Sequence, residues 1–139
     1  MLTLGGYFNL FIAVGHFIGL FWAYQMFEVT GIGKEMAELK VINSSLPYLL
    51  TIFVAIIFFI FGLYGLSADN KFRKLPFTKT VIFLISGIYI FRGLGELVID
   101  VTQATSYTSE TMYSLVALGI GLIFLFGGLK KWNSVAKKA

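Results

Sequence analysis

Arg92, Glu96 and Asp100 stand four residues apart in a stretch that is otherwise almost wholly apolar. In a helix that spacing puts all three on one face, with Tyr89 nearly one turn before them. A guanidinium presents five N–H donors in a planar fork that matches carboxylate and phosphate oxygens. It can therefore be neutralised by Glu96 or hold an anionic ligand. The order of the pair matters, because an acid four residues before a base is the better helical arrangement and here the base comes first. Local pairing is thus a weak reason for Arg92 to be there. Three roles stay open: an internal ion pair that locks the fold, a group that handles a ligand or ion, and a contact with another protein.

His16 is the only histidine. Its ordinary pKa of about 6.5 suits a proton relay or pH switch, and the plainer alternative is a hydrogen-bonded packing residue. Asn9, seven residues earlier, shares its helical face, and Tyr24 follows eight residues later, next to Gln25 and Glu28. The ligand-binding set expected from these patterns is Arg92, Glu96, His16, Tyr89, Tyr24 and Gln25. A metal or haem site would need further ligands opposite His16, and no such pairing shows, so neither metal nor cofactor is expected. His16 and Glu96 could do acid–base work. No nucleophile, metal set or cofactor motif accompanies them, which leaves an intramembrane enzyme as the weakest reading.

The elements that must position these residues are set by hydropathy. The chain of 139 residues is 58% hydrophobic and 13% charged, with 15 Phe and 15 Gly. A soluble domain has about a quarter of its residues charged. A hydrocarbon layer about 30 Å thick takes roughly 20 helical residues per crossing. Four apolar blocks meet that length: 4–27, 47–67, 78–99 and 111–129. The expected fold is all-α, a single four-helix transmembrane bundle over 1–139 in which short connections use the rest of the chain. The first block lacks a basic leader and a small-residue cleavage site and is too long for a signal-peptide core, so it reads as a retained helix. Ser45 is placed to cap the second span, with Pro47 in its first turn. Glu110 is placed at the positive end of the fourth.

Charge sets the orientation. The loop 68–79 carries Asp69 against Lys71, Arg73, Lys74 and Lys79, and the tail carries Lys130, Lys131, Lys137 and Lys138. The other two connections hold Glu28, Lys34, Glu35, Glu38 and Lys40 in one, and Asp100 and Glu110 in the other, with a negative balance. The positive-inside rule then puts both termini and the middle loop in the cytoplasm. It also explains the net charge of +4 without nucleic acid. With no cysteine, disulfides and thiol chemistry are excluded. Residues 34–41 read equally as a surface helix, resting Met36, Leu39 and Val41 on the interface, or as a loop.

Depth follows from the rise of 1.5 Å per residue. Arg92 lies roughly 20 Å from the cytoplasmic end, where a central charge costs about 2.5–3.5 kcal/mol on translocon scales. With Glu96 above it and His16 near mid-membrane, the polar residues describe a funnel opening outward. Gly15 with Gly19, and Ala117 with Gly121, make small-xxx-small steps that suit close helix packing or a homo-oligomer seam. Gly127 and Gly128 are expected to loosen the last turn of the fourth span.

Gly62-Leu63-Tyr64-Gly65-Leu66-Ser67, Arg73-Lys74-Leu75-Pro76 and Ile88-Tyr89-Ile90-Phe91-Arg92-Gly93-Leu94 together resemble a pattern in uncharacterised small four-span bacterial membrane proteins. The resemblance covers about a third of the chain. It implies a bacterial inner-membrane protein and adds weight to His16 and Arg92, but it implies no activity. Two function classes follow from the sequence. One is binding or translocation of a small anionic or proton-coupled ligand in the outward-facing pocket. The other is a non-catalytic accessory subunit whose intramembrane charges are structural.

Overall fold

The computed structural model describes residues 1–103 and 108–136, without the side chains of 100, 101, 103, 108–110, 135 and 136. Expectations that rest on the side chains of Asp100 and Glu110, and on Lys137 and Lys138, lie outside the described residues. Four helical segments are long and apolar enough to cross a membrane: Leu2–Val29, Leu46–Ala68, Thr78–Ile99 and Thr111–Ser134. The molecule is a four-helix transmembrane bundle, as the hydropathy pattern requires.

The first segment is not one helix. α1 (Leu2–Gly19) gives way to a 3-10 turn (Leu20–Trp22) and then to α2 (Ala23–Val29). Trp22, at φ −127° and ψ 40°, leaves the helical region there. α3 (Gly33–Ile42) is a helix and not a loop, so of the two readings of this connection the helical one holds. Met36 and Leu39 are half-buried beneath it, whereas Val41 is exposed. α4 (Leu46–Ala68) starts with Pro47 in its first turn, but Ser45 makes no capping bond through its side chain. Asn43 does the local work, its Oδ1 accepting the Ser45 N–H at 2.9 Å. α5 (Thr78–Gln103) and α6 (Thr108–Ala136) complete the bundle.

Apolar burial cannot drive helices together in lipid, so close approach falls to small residues. α1 packs on α4 through Gly6, Gly62 and Gly65. A Cβ added to Gly65 would stand 2.7 Å from the Gly6 Cα, and one added to Gly6 would stand 2.9 Å from the Gly62 carbonyl. α5 packs on α6 through Gly93, which faces the Ser114 carbonyl, and through Gly121, which faces Ile90 and Tyr89. The Ser86 hydroxyl adds a 2.9 Å bond to the Gly121 carbonyl. Two of the sequence expectations about glycine are corrected here. Gly15 meets nothing within 4 Å and Gly19 meets only Met26, so their step is not a packing seam within the bundle. Gly127 and Gly128 lie under Leu2 and Phe83 inside a helix that continues to Ala136, so they tighten packing and do not loosen a turn.

The result is two helical hairpins, α1 with α4 and α5 with α6, each closely packed along its length. They meet over a shorter patch. Their shared core gathers Leu2, Ala68, Ile82, Ile85 and Phe124 at the end that holds the chain's N-terminus, and reaches only to Tyr89 and Ala117. That end is also tied by polar contacts. Asp69 accepts the Thr3 N–H and hydroxyl, both at 2.8 Å, and lies 3.8 Å from the Met1 amine. Lys131 donates to the Ala68 carbonyl.

Candidate functional site

The deepest polar contact joins the two hairpins. Tyr89 of α5 donates its hydroxyl to Asn9 Oδ1 of α1 at 2.6 Å, and the Asn9 amide donates to the Gly5 carbonyl at 2.9 Å. Both residues are buried. A buried amide or phenol without a partner is expensive, and here each satisfies the other. Because α1 and α5 start at the same end and run parallel, residues equally far beyond this bond stand at equal height. Seven residues on from Asn9 is His16, and seven on from Tyr89 is Glu96. Two helical turns, about 10 Å, separate each from the Asn9–Tyr89 bond.

His16 Nδ1 lies 2.8 Å from the Ile12 carbonyl. A carbonyl only accepts, so Nδ1 is assigned the proton, and in the neutral ring Nε2 keeps a free lone pair. The ring tilts against Phe58 of α4 at 5.2 Å between centroids, and Phe58 in turn lies 6.4 Å from the Tyr89 ring. These rings link α1, α4 and α5 by aromatic contact.

The charges stand on α5. Arg92 Nη2 is 3.0 Å from Glu96 Oε1, and the other carboxylate oxygen accepts the Ser114 hydroxyl at 2.7 Å. Ser114 is fully buried in α6. Glu96 is therefore anchored at both oxygens and the Arg92 guanidinium at one nitrogen. The Arg92 side chain remains 62% exposed and that of Glu96 38%. The core cluster that joins the hairpins reaches Tyr89 and Ala117, and Arg92 and Glu96 lie beyond it along α5.

Of the six residues singled out in the sequence, Arg92 and Glu96 pair on α5, Tyr89 commits its hydroxyl to Asn9 of α1, and His16 packs on Phe58 of α4; among the described residues no hydrogen bond or ion pair joins His16 to Arg92 or Glu96. Tyr24 is elsewhere. It lies beyond the 3-10 turn under the Lys40 ammonium of α3, with Nζ 4.6 Å from the ring centre, in a separate cavity of about 370 Å³ between α2, α3 and α4. Gln25 is exposed beside it. Phe58 and the Asn9–Tyr89 bond were not legible as site features, although the shared seven-residue spacing of Asn9–His16 and Tyr89–Glu96 is a signal that was available. Among the described residues no three His, Asp or Glu side chains converge as metal ligands would. Comparison with protein-family models, with curated proteins and with solved structures gives no match to this chain.

Proposed function

We propose that this membrane protein binds a small anionic or proton-coupled ligand in the seam above the Asn9–Tyr89 bond. The observation that carries this is the setting of Arg92. One of its five donors is engaged by Glu96, Glu96 is itself held by Ser114, and the rest of the guanidinium stays uncovered in a helix that crosses a membrane. In that arrangement Glu96 fixes the direction of Arg92 and offsets its charge in the empty state, Arg92 receives the oxygens of the ligand, and His16 Nε2 takes or returns a proton. Both termini and the basic loop 68–79 face the cytoplasm of a bacterial inner membrane, and the seam opens on the other side.

A second reading is favoured by α5 itself. Gly87 and Gly95 bracket Arg92, and a Cβ at either meets nothing within 4 Å, which leaves room for the span of another protein or a second copy to approach. In that case Arg92 would pair across the interface and the chain would be an accessory subunit.

One experiment separates the two. In detergent, a thermal-shift screen of organic anions and a pH series is run on the wild type beside Arg92→Gln. A ligand present at about 100 times its dissociation constant stabilises by about 2.7 kcal/mol. A shift seen in the wild type and lost in Arg92→Gln supports the ligand site. No shift with any anion, together with a change of oligomeric mass in Arg92→Gln, transfers the conclusion to the accessory reading.

A further inference from the structure

A cavity stands apart from Arg92, at the far end of the α1–α4 hairpin from the N-terminus. Its volume is about 370 Å³, within the range of small-ligand sites. Phe27, Met36 and Pro47 give it apolar walls, while Lys40, Glu28 and Tyr48 bring a cation, an anion and a phenol to the same space. Its height is fixed by the helices around it. Val29 ends the first membrane-crossing segment, Leu46 begins the second, and α3 lies across the gap between them. That is the level of lipid headgroups. Leu39 of α3 and Leu46, Leu49, Leu50 and Phe53 of α4 line a separate apolar groove of about 300 Å³ along the start of α4.

We infer that this cavity holds the headgroup of a membrane phospholipid that carries both a phosphate and a primary ammonium. The phosphate sits on Lys40 and the ammonium on Glu28, while an acyl chain follows the Leu46–Phe53 groove. Charge complementarity selects this occupant. A purely anionic lipid would meet the Glu28 carboxylate, and a quaternary ammonium has no N–H to donate to it. The Lys40 ammonium stands over the Tyr24 ring, 4.6 Å from its centre, and the Glu28 carboxylate lies beside Gly33, where a Cβ would stand 2.5 Å from its Oε1. The cation and the anion are thus presented at separate points of one cavity. The proposal does not depend on the Arg92 seam.

The test is native mass spectrometry of the full chain released from nanodiscs containing equal parts of phosphatidylethanolamine, phosphatidylglycerol and phosphatidylcholine. The wild type is expected to retain the ethanolamine lipid about fivefold over each of the others, the discrimination of one partly exposed ionic contact. Lys40→Met, an exposed position, should lose the retained lipid. Glu28→Gln should keep a lipid but lose the preference for ethanolamine over glycerol headgroups. Arg92→Gln should leave the profile as in the wild type. Soluble phosphoethanolamine added in excess should not displace the lipid, because the acyl groove is part of the site; displacement would make the site one for the free headgroup. Equal retention of the three lipids by the wild type, or an unchanged profile in both Lys40→Met and Glu28→Gln, overturns the proposal.

Discussion

Tyr89 and Asn9 form a side-chain bond that crosses from hairpin to hairpin in the middle of the structure. Interhelical hydrogen bonds in membrane proteins average only about 0.6 kcal/mol, because the unfolded helices find other partners. Leaving a fully buried acceptor unmatched costs more, about 1–3 kcal/mol. For Tyr89→Phe, which strands Asn9 Oδ1 without changing volume, the second term dominates. The expected loss is about 1–2 kcal/mol in reversible unfolding in mixed micelles, with His16→Gln, two turns away, losing less. A Tyr89→Phe protein as stable as the wild type would show that the bond does not hold the hairpins. At this scale the sequence was half legible. It offered the polar residues and their shared faces, but not the partners, because α1 and α5 are separated by some sixty residues and nothing local fixes their relative rotation.

At the scale of elements, hydropathy located every span to within a few residues, since the thickness of a bilayer imposes a length that no soluble fold requires. What it could not show is which small residues carry the packing. Gly15–Gly19 and Ala117–Gly121 have the same spacing, yet only the second is a seam within the bundle, since rotation of the helix decides and rotation leaves no mark in the spacing. Substitution distinguishes the two classes. At Gly65 an added methyl meets the backbone of α1, which cannot yield as a flexible side chain would, so Gly65→Ala should destabilise by about 1–3 kcal/mol. Gly15→Ala fills open space and relieves the low helix propensity of glycine, so it should be neutral or stabilising by up to about 1 kcal/mol. Detergent melting curves of the two variants measure the contrast. The interruption at Leu20–Trp22 had no sequence signal, for the residues there are as apolar as their neighbours and contain no proline.

For the whole molecule, orientation and the polar tie at one end are the features open to test. The chain has no cysteine, so single cysteines report without background. The proposed orientation, with both termini cytoplasmic, has a direct test: a membrane-impermeant maleimide added to intact cells should label Lys34→Cys and spare Lys71→Cys, and the reverse pattern would invert the topology. Asp69, outside the spans, makes the closed end sensitive to acid. Burial pushes its carboxyl up, but the two Thr3 donors, the Met1 ammonium and Lys131 outweigh that and hold it below its ordinary value. A carboxylate depressed in the folded state adds stability above its unfolded pKa of about 3.9, and the gain disappears as pH falls through the lower folded value. Asp69→Asn should therefore melt earlier than the wild type at neutral pH, and the two melting temperatures should converge below about pH 4.

The uneven join between the hairpins has a mechanical consequence. With the common core confined to one end, relative movement of the halves is a pivot, and the pivot changes the area the protein occupies in one leaflet while leaving the other nearly constant. The work of such a movement is then done against the lateral pressure of a single monolayer. Cone-shaped and cylindrical lipids distribute that pressure differently with depth, so the composition of the leaflet around the α3 end would tune how readily the halves part, without any lipid touching Arg92 or His16.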